Sequence, residues 1–118
     1  MGVSDASFEL VDDMLNKTNT GLIVVDIQGK LARLVHDSEA LIANCEKLIQ
    51  GVQVLELPII TLEQNPTKLG ATVDELSALL NPIKPITKFT FNGCEQAEFV
   101  DAVKSAVSSM DKDKQINT

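Results

Sequence analysis

Apolar and polar positions alternate in blocks along this chain, and the blocks change period in a regular order. Leu22-Ile-Val-Val25 is an unbroken apolar run between Gly21 and Asp26. A short β-branched run of this kind predicts a strand buried on both faces. Leu57-Pro-Ile-Ile-Thr-Leu62 predicts a second strand, with Pro58 tolerated at its start. Pro85-Ile-Thr-Lys-Phe-Thr-Phe91 predicts a third and shorter one. Between them the period lengthens to that of a helix. Leu41, Cys45, Leu48 and Val52 form one stripe, widened by Ile42 and Ile49, with Asp37 or Ser38 as cap. Thr72-Val-Asp-Glu75 has the spacing of a capping box and opens a short helix through Leu76, Leu79 and Leu80, stopped by Asn81-Pro82. Asn92 caps a last helix whose apolar face is Phe99, Val103, Val107 and Met110. Phe8, Val11 and Leu15 place a further, peripheral helix over Ser4 to Asn16, and the polar end from Asp111 to Thr118 is expected to fray. Gln28 to Val35 reads as a loop or short helix, and Glu63 to Gly70 as a loop.

Strands that alternate with helices imply an α/β fold. Its expected form is a three-layer, Rossmann-like parallel sheet with helices on both faces and right-handed crossovers. The 118 residues suffice for one domain and one core. In a parallel sheet all carboxyl ends lie on one side, and ligands bind in the crevice beyond them. Three polar residues fall there. Asp26 ends the first strand, Gln64 follows the second, and Lys88 lies in the third. An Asp–Lys pair at that place would keep the carboxylate ionised and set a cation near a reacting centre.

Composition narrows the partners. A net charge of −7 without a basic run argues against nucleic acid and against an anionic membrane surface. Apolar runs are too short to cross a bilayer, and the acidic N-terminus lacks the features of a secretory signal. Two cysteines, Cys45 and Cys94, make no disulfide framework, so a reduced, cytoplasmic setting is expected. One histidine leaves little material for a metal centre, and neither metal nor cofactor is expected. Cys45 reads as a core residue. Cys94, at the start of a helix, is a weak candidate nucleophile, because Glu95 beside it opposes a thiolate.

Leu22-Ile-Val-Val-Asp26-Ile-Gln28 resembles the first strand of the isochorismatase-like cysteine hydrolases. Thr61-Leu-Glu-Gln64-Asn-Pro66-Thr-Lys-Leu69-Gly70 with Thr72-Val-Asp-Glu75, and then Ile86-Thr-Lys88-Phe-Thr-Phe91, are similar to two further signatures of that family, in family order. The resemblance covers roughly residues 18 to 108, the N-terminal two thirds of such a domain. It implies hydrolysis of a small molecule by an Asp–Lys–Cys triad, in which Asp26 is the general base and Lys88 holds the thiolate. It places Gln28, Gln64 and Phe91 around the substrate. The family's nucleophile follows a fourth strand, and no segment here corresponds to it, so the chain is expected to be a partial domain without turnover of its own. The fourth strand would pair beside the first, so Leu22–Val25 should become a bare edge and favour a homo-oligomer. The alternative is a non-catalytic interaction or regulatory subunit that pairs through this edge.

Overall fold

The computed structural model describes residues 14–117. The helix expected over Ser4 to Asn16 lies almost wholly outside them, and positions 14–16 are not helical. Three parallel strands form the sheet: β1 (Leu22–Val25), β2 (Ile59–Gln64) and β3 (Ile86–Lys88), in the spatial order β1-β2-β3. Leu22 is opposite Ile59 and Val25 opposite Leu62, while Gln64 is opposite Lys88. The helices are α1 (Leu31–Leu34), α2 (Ser38–Val54), α3 (Pro66–Leu69), α4 (Asp74–Leu80) and α5 (Ala97–Asn117), with a 3-10 turn over Gly93–Glu95. The α/β expectation therefore holds. The connection expected over Glu63 to Gly70 gives its first two residues to β2 and contains one helical turn, α3.

Two apolar cores lie on opposite faces of the sheet, as strand alternation requires. Val24, with Leu22 and Ile59, packs under α2 and α4 through Ile42, Ile49, Leu76 and Leu80. Leu62 and Ile86, with Ile60, pack under α5 through Phe99, Ala102 and Val103. Leu76 has no exposed surface. Its burial alone contributes about 1.5–3 kcal/mol.

Three local expectations give way to longer-range partners. First, β1 is not buried on both faces. Ile23 and Val25 remain 45% and 44% exposed, because β1 is an edge of the described sheet and the second core is centred on β2 and β3. Second, α2 is turned within its broad apolar arc. Ile42, Ile49 and Val52 are buried and Cys45 packs against the core, whereas Leu41 and Leu48 are exposed. Third, Thr72 and Glu75 form no capping box, and Asp37, at the cap position of α2, makes no capping hydrogen bond. The Thr72 hydroxyl donates to Glu63 (2.8 Å), and Glu75 is held by Arg33 of α1 through two hydrogen bonds of 2.6 and 3.0 Å. Asn92 does act as a cap, but of the 3-10 turn, where its side chain accepts from the Cys94 N–H.

The Arg33–Glu75 pair ties α1 to α4 at the surface. Hydrogen bonding to Arg33 lowers the Glu75 carboxyl to about 2 from its ordinary 4.5. A carboxyl depressed in the folded state stabilises fully above its unfolded value, and that contribution disappears as pH falls through the folded value. Denaturant midpoints measured from pH 6 down to pH 2 should therefore show a steeper loss for the native protein than for Glu75→Gln. The difference should lie between about pH 4.5 and about pH 2 and be small, because both side chains are solvated.

Candidate functional site

The site is built where the three strands end. Asp26 follows β1 directly and takes a left-handed backbone conformation (φ 59°), which Asp tolerates better than most residues. Its N–H donates to the Leu62 carbonyl (3.2 Å), so the turn away from the sheet begins while Asp26 is still tied to β2. Its side chain is about one third exposed. Lys88 closes β3 and has only 1% of its side chain exposed. The Lys88 ammonium has three hydrogens and meets three oxygens: Asp26 Oδ2 at 2.9 Å, Gln64 Oε1 at 2.8 Å and the Thr90 carbonyl at 3.1 Å. A buried ammonium that left one of these unused would carry a penalty of several kcal/mol. Here each hydrogen is matched.

Gln28 stands one layer behind. It is 3% exposed, and its side-chain amide behaves like a piece of backbone. Oε1 accepts from the Gln64 N–H (2.6 Å), and Nε2 donates to the Gln64 carbonyl (2.9 Å) and to the Gly70 carbonyl (2.6 Å). Both amide hydrogens and the oxygen are thus engaged inward, so Gln28 organises Gln64 and offers a ligand no free donor. This differs from the expected ring of substrate contacts. Glu63, also buried, holds the same loop from the other side by accepting from the N–H and the hydroxyl of Thr72 (2.7 and 2.8 Å). Two glycines let the loops meet. Gly29 (φ 50°) and Gly70 (φ 85°) approach so closely that a Cβ on Gly29 would sit 2.3 Å from the Leu69 carbonyl oxygen. Sequence reasoning missed Glu63 and Thr72. Their only local signal, a capping-box spacing, pointed to another use.

Phe91, three residues beyond Lys88, is wholly exposed, and Phe89 is 69% exposed. Neither cysteine joins the site. Cys45 lies among the residues packed on the β1 core, and no hydrogen of Lys88 goes to the exposed Cys94. Among the described residues no group of three or more His, Cys, Asp or Glu could hold a metal ion, and no helix is long and apolar enough to cross a membrane. An apolar cavity lies elsewhere. About 150 Å³ in volume, it lies at the opposite end of β1, between Gly21, Ile23, Pro58 and the Val103–Met110 part of α5.

Comparison with known proteins decides the lineage of this arrangement. Isochorismatase domain-containing protein 2 of Danio rerio is 30% identical over 102 residues, which cover 86% of this chain and 48% of that protein. Its Xenopus laevis counterpart is 31% identical over 78 residues, 66% of this chain and 37% of that protein. The MAR1 ribonuclease of Caenorhabditis elegans superposes with a TM-score of 0.69 at 32% identity, over 76% of this chain and 47% of that one. The chain belongs to the isochorismatase-like superfamily. YcaC of Escherichia coli, an octameric hydrolase of unknown specificity, superposes with a TM-score of 0.66 at 28% identity, over 80% of this chain and 48% of that one. No family model matches. The chain spans about half the length of these relatives or less.

The burial asymmetry of the pair makes a stability prediction. In Asp26→Asn the sealed Lys88 ammonium loses its counter-ion, whereas in Lys88→Met the remaining carboxylate is reached by water. Urea denaturation at pH 7 should show a loss of about 3 kcal/mol for Asp26→Asn and a clearly smaller one for Lys88→Met.

Proposed function

We propose that Asp26 and Lys88 are the acid–base half of a hydrolytic site for a small molecule. The observation that carries this reading is the 2.9 Å bond between a fully buried ammonium and a carboxylate that water can reach, at the carboxyl ends of parallel strands. The free Asp26 oxygen can take a proton from a nucleophile or water. Lys88 keeps that carboxylate charged and in place. In isochorismatase-like cysteine hydrolases the attacking group is a thiol, and among the described residues no cysteine is bonded to Asp26 or Lys88. We infer that this chain alone binds but does not turn over. Gln64 is within reach of a ligand, and Phe91 is free to close over one.

The ribonuclease among the structural neighbours raises RNA as a substrate. The net charge of −7 speaks against it here, since phosphate contacts need clustered cations. A second reading rests on a separate observation. The exposed edge of β1, with Ile23 and Val25 half uncovered, suits a non-catalytic subunit that pairs with another chain.

Two experiments test these readings. The 118-residue protein should hydrolyse p-nitrophenyl acetate no faster than Asp26→Asn, with no effect of iodoacetamide. Turnover that iodoacetamide abolishes and Cys94→Ala removes would show that the chain has its own nucleophile. Light scattering at micromolar concentration should give a dimer or larger species, and Ile23→Lys should shift it toward monomer. A well-folded wild-type monomer would contradict the edge reading.

A further inference from the structure

The free edge of β1 and the exposed leucines of α2 form one surface. The N–H groups of Leu22 and Asp26 are spent on β2, at the Pro58 and Leu62 carbonyls (2.9 and 3.2 Å). Backbone groups alternate in direction along a strand, so those of Ile23 and Val25 point away from β2. The side chains of both are half exposed, on the face of the sheet opposite α2. On its own face α2 carries β1 over to β2 and shares a core with Leu22, Val24 and Ile59, so it lies above that strand pair. Gln53 donates to the Leu79 carbonyl of α4 (2.7 Å), and α4 leads to β3, so this flank of α2 is turned toward β3. Leu41, Leu48 and Leu55 lie on the opposite flank of the buried row Ile42, Ile49 and Val52. They are 42%, 55% and 47% exposed and face the free side of β1. Asn44 and Gly51, between them, carry no charge, and a Cβ on Gly51 would meet nothing within 4 Å.

We propose that this surface pairs with a second copy of itself, β1 antiparallel to β1 and α2 to α2, about a twofold axis normal to the sheet. Such an axis keeps each face of the sheet on its own side, so both copies of α2 lie on the same face. With the axis at Val24, Ile23 falls opposite Val25 of the second copy, and each such pair exchanges both of its outward hydrogen bonds. Each α2 lies over the middle of its strand pair, so the two helices come two strand spacings apart, about 9.5 Å. Packed helices lie about 8–10 Å apart, so the leucine flanks meet when the strands do. The area agrees. A strand of four residues is too small an interface alone. The flank from Leu41 to Leu55 adds a seam about 21 Å long. A helix layer on a sheet layer is about 20 Å deep, so each copy covers on the order of 500 Å². The total of about 1,000 Å² is where specific pairing begins. This inference rests on the reading of β1 as a pairing edge and names what pairs with it.

Sedimentation and NMR amide exchange of the purified 118-residue protein test it. The wild type should be a dimer at micromolar concentration, with slow exchange at the Ile23 and Val25 amides. Leu48→Lys, which leaves β1 untouched, should be monomeric and exchange about tenfold faster at those two amides. Leu48→Ala should weaken the dimer about tenfold, and it decides the matter if Leu48→Lys does not fold. If Ile23→Lys is monomeric while both Leu48 variants pair as tightly as the wild type, the edge reading stands and the twofold arrangement falls. A wild-type monomer, or a dimer whose Ile23 and Val25 amides exchange freely, overturns both.

Discussion

A buried ammonium group with three hydrogens sets the geometry that the rest of this structure respects. Lys88 draws one acceptor from the turn after β1, one from the end of β2 and one from the segment after β3. No local structure can satisfy it, so it is met only when the three strands are parallel, adjacent and ended at nearly the same level. The register supplies this: Gln64 is opposite Lys88, and Asp26 follows the Val25–Leu62 pair. Apolar burial makes the sheet form, but it is indifferent to where strands end. The unpaired cation is not, because sealing it without acceptors would cost several kcal/mol, a large share of a domain's net stability.

Further polar contacts behind them keep those acceptors aimed. The Gln28 amide reads the backbone of Gln64 at both its N–H and its carbonyl, as a neighbouring strand would, and also ties in Gly70. Glu63 points to the other face of β2 and fixes Thr72. The Gly29–Gly70 approach brings the two loops into contact. Buried polar groups are expensive unless matched, and these are matched almost completely. The Thr61 hydroxyl is the buried side-chain atom without a partner among the described residues.

How much of this was legible follows from the range of each interaction. Alternating periods reveal parallel strands and helices, because both signals are local. The meeting of Asp26 and Lys88 was legible because the carboxyl ends of parallel strands converge on one side of the sheet. Gln64 was found by its place after β2. The inward role of Gln28 was not, since its partners lie 36 and 42 residues away. The capping box failed for the same reason: Thr72 and Glu75 have the right spacing but better partners in Glu63 and Arg33. On α2 six apolar positions span an arc too wide to choose its buried centre without knowing the sheet. Leu41 and Leu48 fell outside it.

The edge strand and the charged pair are not independent features. Among the described residues β1 is paired on one side only, and the last tie before Asp26 leaves it is the N–H bond to the Leu62 carbonyl. Whatever loosens β1 from β2 therefore withdraws a carboxylate from a sealed cation. Edge strands ordinarily fray at low cost. This one cannot, because fraying at its carboxyl end strands the Lys88 charge. The site thus stiffens the strand that the packing leaves half covered. In turn, a chain added along β1 would bind only the folded form and hold Asp26 from both sides. The geometry of the charged pair and any pairing along the edge then draw on the same four residues, Leu22–Val25, and substitutions there should be read for both.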